Sequence, residues 1–203
     1  MSIISTIEEL EELYGKPGER ELVKEVGHIT EHYRKLIEVS PFMILATSGP
    51  EGLDCSPRGD EPGFVRVVDD QTLIFPDRRG NKRKDSLKNI IRDNRVAVLF
   101  LIPGVGVTLR VNGKAHISID SELLQSFAVG DKLPRSAIVI RVESVYFQCA
   151  RAIVRSNLWD PKRHISAQSL PSAGEILAAL SNNKYGGERY DLEWPERASK
   201  TLW

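Results

Sequence analysis

From Pro41 onward, the apolar residues change from helical spacing to strand-like alternation, and short turn motifs separate the runs. Gly49-Pro50-Glu51-Gly52, Asp69-Asp70 and Pro103-Gly104-Val105-Gly106 are typical of hairpin connections. The predicted strands span residues 42–46, 53–56, 64–68, 72–75, 96–102, 108–117 and 137–147. Six or seven strands joined mostly by hairpins, with one helix inserted between them, predict a mainly β protein built on a small antiparallel barrel.

Helical patterns flank this β region. Residues 5–8 have capping-box spacing and open a short acidic helix that ends near Gly15 to Gly18. A second helix is predicted from the apolar stripe between Leu22 and Ile37. Shorter helices are predicted at residues 83–93, 121–127, 150–157 and 172–181. We therefore expect an N-terminal helical extension at 1–40, a barrel domain at 41–165, and a C-terminal helix with an unpatterned tail at 166–203.

The composition excludes several classes of protein. Formal net charge is zero, with 28 basic and 28 acidic residues, so no global field attracts nucleic acid or an acidic membrane. Cys55 and Cys149 make no disulfide framework, and no clustered ligands predict a metal site. The acidic N-terminus is unlike a signal peptide, and no apolar run approaches ~20 residues, so we expect a cytoplasmic protein.

A basic cluster stands where the inserted helix is predicted to begin. Lys82, Arg83 and Lys84 fall in its expected first turn, just after Arg78 and Arg79. Positive charge at a helix N-terminus opposes the macrodipole, whereas free backbone N–H groups beside basic side chains bind phosphate well. A solvated basic turn is the alternative, but the pattern favours a phosphate-bearing ligand.

Other candidate residues have a structural alternative each. Arg58, in a Cys-Ser-Pro-Arg-Gly turn, suits a ligand contact or a surface ion pair equally. Arg66 lies on a strand just upstream of the basic turn, which favours a functional role over plain exposure. Thr108 shares a strand face with two other polar residues, which predicts a lined cleft or solvent. Arg155 and Trp159 lie in an Arg-Ser-Asn-Leu-Trp segment, and because Trp159 requires burial and an acceptor for its N–H, a dimer seam and the flavin edge both suit it.

Taken in order, several segments resemble the pyridoxamine 5'-phosphate oxidase-like family, the FMN-binding split barrels. The resemblance is greatest to a bacterial branch that carries a Ser-Pro-Arg-Gly turn and an Arg-Ser-x-Leu-Trp segment. It extends over about residues 30–165. The segments that carry it are Phe42 to Thr47, Ser56 to Asp60, Pro62 to Arg66, Phe75 to Ser86, Arg95 to Phe100, Thr108 to Ala115 and Cys149 to Trp159.

The resemblance implies a homodimer of split barrels with one FMN in each of two clefts between the subunits. Asn81, Lys82 and Arg83 match the turn that holds the flavin phosphate, and Arg66 matches a lysine that faces the phosphate or the ring. Further cofactor-binding positions implied by the match, or assigned from charge and context, are Arg58, Phe75, Pro76, Asp77, Thr108, Gln148, Arg155 and Trp159. Thr108 would reach the flavin from the other subunit. Gln148 stands where the classical oxidases have a tryptophan.

The resemblance implies an FMN-dependent oxidoreductase acting on a small molecule, with no catalytic side chain assigned. True pyridoxamine 5'-phosphate oxidases bind their substrate through a spaced Arg-x-His pair, whereas Arg163 and His164 are adjacent here. Vitamin B6 phosphate is therefore not the expected substrate. Three alternatives remain: a deazaflavin (F420)-dependent reductase, a haem-binding protein for which only His116 lies on a predicted barrel strand, and a non-enzymatic flavin carrier or sensor.

Overall fold

A single antiparallel sheet organises the chain in the computed structural model, which describes residues 3–80 and 82–203. Its seven strands are hydrogen-bonded in the order β2-β1-β5-β6-β7-β4-β3. The strands are β1 (Phe42–Gly49), β2 (Gly52–Gly59), β3 (Arg66–Asp69), β4 (Thr72–Pro76), β5 (Arg95–Leu101), β6 (Thr108–Ser118) and β7 (Ala137–Gln148). The predicted mainly β class and the antiparallel strand arrangement are confirmed.

Alternation along the strands sets which face of the sheet forms the core. Met43 and Leu45 of β1 are fully buried, and so are Val111 of β6 and Ile138 and Ile140 of β7. Because successive side chains point to opposite faces of a strand, the intervening residues form a second face that is half-buried or exposed. The core lies on one side of the sheet, and the other side of β1 and β5 is left partly open.

The described residues form eight helices. They are α1 (Ile7–Tyr14), α2 (Glu19–Val23), α3 (Glu31–Val39), α4 (Asp85–Arg92), α5 (Ser121–Ser126), α6 (Arg151–Ser156), α7 (Ala173–Leu180) and α8 (Glu188–Thr201). Of these, α3 and α4 pack against the strands of the sheet. Two 3-10 turns, Pro161–Arg163 and Ala167–Ser169, connect α6 to α7. In the described residues, no helix has both the length and the apolar content needed to cross a bilayer.

The single long helix predicted between Leu22 and Ile37 is wrong. The chain forms α2, then an isolated bridge in which Val26 pairs with Val145, and then α3. Thr30 caps α3 by accepting a hydrogen bond from the backbone N–H of Tyr33. Val26 packs against the core from the bridge and Ile37 from α3, whereas Leu22 is exposed, so the helical spacing of the stripe does not reflect one helix.

The first helix uses a capping box one residue later than predicted. Thr6 accepts from the backbone N–H of Glu9, and the Glu9 carboxylate accepts from the backbone N–H of Thr6. The Glu9 carboxylate also accepts from the backbone N–H of Ser5, and this bond is the main reason that its pKa lies below the ordinary value. The acidic helix itself is confirmed, at Ile7–Tyr14.

The start of α4 differs from the prediction in a way that changes the electrostatic argument. The helix begins at Asp85, so an acidic residue occupies its first turn, as the macrodipole prefers. Lys82, Arg83 and Lys84 precede the helix, and Lys84 is its N-cap with a left-handed φ of 60°. The predicted crowding of basic residues within the first helical turn is therefore wrong, although the basic residues do adjoin the N-terminus.

The tail after Asn182 is also more ordered than predicted. It contains α8, which packs against α7. The Asp191 carboxylate joins the two helices by accepting from the Ser172 hydroxyl and, at 2.9 Å, from the backbone N–H of Gly174. Pro195 lies inside α8 and obscures the helical pattern in the sequence.

Candidate ligand-binding cleft

A cleft of about 310 Å³ opens beside the N-terminus of α4. Three segments line it: the second half of β2, the turn that follows β4, and the residues that begin α4. Alternation along β2 turns Asp54, Ser56 and Arg58 to the same face, toward this cleft. The fold thus brings together a strand, a turn and a helix N-terminus that are separated in sequence.

Arg58 is the best-fixed basic residue of the cleft. Its Nη1 lies 2.5 Å from Asp77 Oδ1, and its Nη2 donates to the Ser86 hydroxyl at 3.2 Å. Its Nε is buried and, within the described residues, has no hydrogen-bond acceptor. A buried donor without an acceptor is costly, and an anion entering the cleft is one way to satisfy it.

Ser86 connects Arg58 to the acidic side of the cleft. The Ser86 hydroxyl donates to Asp54 Oδ2 at 2.6 Å, and the same carboxylate oxygen accepts from the Ser56 hydroxyl at 2.9 Å. Asp77, Arg58, Ser86, Asp54 and Ser56 therefore form one continuous hydrogen-bonded network. The network fixes the direction of the Arg58 guanidinium before any ligand binds.

The basic turn contributes unequally to the cleft. Arg83 and Lys84 line it, whereas Lys82 is exposed and does not. Arg83 Nε lies 2.6 Å from Asp85 Oδ2, and its hydrogen bond with this carboxylate raises the pKa of Arg83. Asn81, the remaining residue predicted to bind the phosphate, lies outside the described residues.

The end of β4 leads into the turn that lines the cleft, but Phe75 and Pro76 themselves do not line it. Phe75 is buried in the core and Pro76 is buried next to it, and these two residues pair with Ile138 and Ala137 of β7. The backbone N–H of Asp77 donates to the Ser136 carbonyl at 2.9 Å, which extends the strand pairing by one step. These residues have the position at the strand end that the sequence predicted.

Arg66 does not line the cleft. Its guanidinium donates to the Ser126 hydroxyl at 2.7 Å and to the Ser126 carbonyl at 2.6 Å, and it stacks on the Phe127 ring at 3.8 Å. The expectation that Arg66 faces the phosphate turn is therefore not met within this chain. The strand alternation showed that Arg66 points away from the core, but could not show that α5 ends beside it.

Four further predicted residues lie elsewhere in the chain. Thr108 and Gln148 pair with each other at the C-terminal end of β7. The N-terminal end of β7, at Ala137, is the end that pairs with Pro76 of β4. Trp159 is half-buried, and its indole N–H donates to the Val105 carbonyl at 2.9 Å. Arg155 is exposed on α6. One chain alone does not bring these four residues to the cleft.

The cleft contains four basic and three acidic side chains, so its excess positive charge is small. Two of the acids form ion pairs with basic residues of the cleft: Asp77 with Arg58 and Asp85 with Arg83. The Arg83–Asp85 pair is exposed, and such pairs contribute little to stability, whereas the Arg58–Asp77 pair is more shielded from water. A phosphate group can therefore replace the Asp85 carboxylate as the partner of Arg83 at moderate cost.

Sequence reasoning did not single out Asp54, Ser56 and Ser86, and it named Arg78 only as a neighbour of the basic turn. The alternation of β2 was a usable signal for Asp54, since it shares a strand face with Arg58. Ser86 gave no signal, because its place at the start of α4 depends on where the helix begins. Among the described residues, no group of three or more His, Cys, Asp or Glu side chains is arranged to hold a metal ion.

Comparison with known proteins places this fold in a family. Three similar solved structures are Group A Streptococcus HupZ, General Stress Protein 26 from Bacillus anthracis, and an FMN-binding protein from Syntrophomonas wolfei. HupZ is 21% identical, with a TM-score of 0.50 over 60% of this chain and 94% of that chain. The Bacillus protein is 19% identical, with a TM-score of 0.42 over 57% and 93% of the two chains. The Syntrophomonas protein is 12% identical, with a TM-score of 0.42 over 70% and 95%.

The likeness to HupZ concerns the fold alone at this level of identity. A comparison with curated protein sequences gives no match. Residues 29–149, more than half of the chain, match the family model described as pyridoxamine 5'-phosphate oxidase. The protein therefore belongs to the pyridoxamine 5'-phosphate oxidase family.

Proposed function

We propose that this protein is an FMN-binding flavoprotein that acts as an oxidoreductase on a small molecule. In this proposal the flavin phosphate binds in the cleft beside α4, and the flavin ring lies along the end of β4. The family and the resemblance of the Phe75 to Ser86 segment support FMN as the cofactor. Arg58 and Arg83 are the proposed phosphate ligands.

The observation that carries the proposal is the donor set of the cleft. Arg58 presents a buried Nε with no acceptor among the described residues. Among the described residues, no side-chain cap hydrogen bond is made at the N-terminus of α4, which leaves its first backbone N–H groups for an anion. Unpaired N–H groups at a helix N-terminus, together with a guanidinium, suit a phosphate better than they suit an uncharged group.

We further propose that the flavin site is completed by a second copy of the chain. Thr108, Gln148, Arg155 and Trp159 are the cofactor-binding candidates from the sequence that lie away from the cleft of their own chain. The open face of β1 and β5 offers a surface for the second copy. Its apolar side chains are Phe42, Ile44, Leu99 and Leu101, all exposed or half-buried.

FMN, when bound, supplies hydride or paired electron transfer at its N5 atom. The described residues contribute position and charge to that chemistry. The network through Asp77, Arg58 and Ser86 fixes the phosphate end, and positive side chains near the ring favour the anionic reduced flavin. No side chain of the cleft is assigned as a general acid or base.

The alternatives make different spectroscopic predictions. A deazaflavin-dependent reductase would contain a cofactor with its own absorption band and no oxidised-flavin spectrum. A flavin carrier or sensor would contain FMN that is not turned over with NAD(P)H and candidate acceptors. A haem-binding protein would need an axial ligand, and His116 is exposed on β6.

Titration of the apoprotein with FMN, followed by flavin fluorescence, tests the proposed site. Arg58→Ala removes the best-fixed donor set, so we expect FMN affinity to fall about tenfold, the effect of losing one good charge-assisted hydrogen bond. Arg79→Ala is the matched control, because Arg79 is an exposed arginine of the turn before α4 and does not line the cleft. Equal FMN affinity of Arg58→Ala and wild type, with the fold retained, would rule out this site.

A further inference from the structure

Arg78 lines the same cleft, and its position is fixed by three distant parts of the chain. Its Nε lies 2.6 Å from Asp60 Oδ2, in the connection between β2 and β3. Its Nη1 donates to the Phe127 carbonyl at 2.8 Å, just after α5. The Trp203 ring lies over its guanidinium, 5.1 Å from ring centre to Cζ.

These contacts restrain Arg78 more than a surface arginine is usually restrained. The Asp60 side chain is only 4% exposed and that of Arg78 is 17% exposed, so the ion pair is largely shielded from water. In a shielded environment the attraction is screened less than at the surface. The aromatic face of Trp203 adds a cation–π contact on the side not used by hydrogen bonds.

One nitrogen of the Arg78 guanidinium is left for a ligand. Within residues 3–80 and 82–203, Nη2 donates to no protein acceptor, whereas Nε and Nη1 are both occupied. Arg78 lines the cleft, and an arginine held through two of its nitrogens is preorganised to donate to an oxyanion through the third.

The C-terminal helix brings Trp203 to this position. The α7–α8 pair packs together, and the Arg197 guanidinium stacks on the Tyr190 ring at 4.3 Å within α8. Trp203 follows directly after α8 and reaches Arg78, which is more than a hundred residues away in sequence. Trp194, on the same helix, is exposed and contacts Arg197 instead.

We propose that Arg78 is a further oxyanion-binding residue of the cleft and that Trp203 is the residue that positions it. This inference rests on the proposed function, because the oxyanion is the phosphate of the flavin. The C-terminal helix is thereby coupled to the ligand site without contacting the ligand. Trp203 acts through Arg78 and is a positioning residue.

Binding of FMN and of riboflavin to Trp203→Ala tests this inference, since riboflavin lacks the phosphate. We expect Trp203→Ala to weaken FMN binding about fivefold and to leave riboflavin binding unchanged. Trp203→Phe retains an aromatic face and should restore most of the FMN affinity. Trp194→Ala is the matched control and should bind FMN as the wild type does.

Two results would overturn the inference. One is wild-type FMN affinity in Trp203→Ala, and the other is an equal loss of riboflavin binding, which would indicate general damage to the cleft. Thermal stabilisation by inorganic pyrophosphate gives a readout that needs no flavin. If the wild type binds no FMN, the proposed function is refuted. In that case pyrophosphate still tests the inference, which fails if pyrophosphate raises the melting temperature of Trp203→Ala and of wild type equally.

Discussion

Asp85 limits how strongly Arg83 can bind an anion. The two side chains form a close ion pair at the mouth of the cleft, so a phosphate must compete with the Asp85 carboxylate for the guanidinium. Replacing Asp85 by asparagine removes the competing charge and leaves a side chain of the same shape. We therefore expect Asp85→Asn to raise FMN affinity about threefold, the scale of an exposed ion pair.

Fluorescence titration of Asp85→Asn with FMN measures this effect. Asp70→Asn serves as the control, because Asp70 is exposed in the β3–β4 turn and does not line the cleft. A lower affinity in Asp85→Asn would mean that the carboxylate supports the site instead of competing with the ligand.

The residues of the basic turn should differ in their effect on binding. Arg83 lines the cleft and Lys82 does not, although both match the phosphate-binding turn of the family. We expect Arg83→Ala to weaken FMN binding about fivefold and Lys82→Ala to change it by less than about twofold. FMN titration of the two single variants at the same salt concentration distinguishes the two expectations: the structure predicts an effect at Arg83 alone, and the family match predicts an effect at both residues. A larger effect at Lys82 would place the phosphate on the other side of the turn.

Among the secondary-structure elements, the turn between α4 and β5 depends on an ionised carboxylate. The Asp93 side chain accepts from the Arg95 guanidinium at 2.6 Å and from the Ser48 hydroxyl at 2.9 Å. The Arg95 guanidinium is the main reason that the pKa of Asp93 lies well below its ordinary 3.8. A carboxylate whose pKa is lower in the folded state than in the unfolded state raises the free energy of unfolding at pH values above the unfolded-state pKa. This contribution is lost as the pH falls through the folded-state pKa.

Asp93→Asn should therefore be less stable than wild type at neutral pH, and the difference should shrink well below pH 3.8. Thermal unfolding of both proteins across the acid range measures this difference. A difference that is independent of pH would show that the Asp93 charge does not stabilise the turn.

Gly113 is required at the β-bulge in the pairing of β6 with β7. The strand register shifts between Asn112 and Gly113, and a Cβ at Gly113 would lie 2.1 Å from the Arg141 carbonyl oxygen. Backbone atoms cannot move aside cheaply, so we expect Gly113→Ala to lower the free energy of unfolding by about 3 kcal/mol. Gly27→Ala is a matched control, because its Cβ would meet the Glu143 carbonyl at an ordinary 3.5 Å. Chemical denaturation that shows equal stability for the two variants would contradict this packing.

The strands were predictable because alternation and hairpin turns are local signals, and each predicted strand is present. The helices depend more on contacts that are distant in sequence. The pairing of Val26 with Val145 interrupts a stripe that is helical by spacing alone. Likewise, the left-handed N-cap at Lys84 delays the start of α4 until Asp85, which moves the basic residues out of the first turn.

The residues of the candidate cleft were named from two signals, charge and context for Arg58 and the family pattern for Asp77 and Arg83. Arg58, Asp77 and Arg83 were all named from the sequence, and the fold brings them into one cleft. Arg66 was misplaced because its partner, the end of α5, is sixty residues away in sequence. Arg78 was named only as a neighbour of the basic turn, because its own position depends on Asp60, Phe127 and Trp203 together.

The whole molecule should be a dimer if the flavin site is shared. Light scattering should then give twice the 22.8 kDa mass of one chain. Leu99 is half-buried on the open face of β5. An arginine at this position would place an unpaired charge in the proposed interface between the two copies of the chain. We expect Leu99→Arg to be monomeric and to lose FMN binding, whereas Val68→Arg, on an exposed edge, should remain dimeric. A wild-type monomer that binds FMN would contradict the shared site.

The absorbance spectrum of the purified protein, with mass analysis of the ligand that it releases, is the most direct measurement of the central claim. The proposed function predicts an oxidised-flavin spectrum and a released ligand with the mass of FMN, with Arg58→Ala purified largely colourless under the same conditions. A protein that is colourless and remains so after incubation with excess FMN, or that releases a deazaflavin or haem, would contradict it.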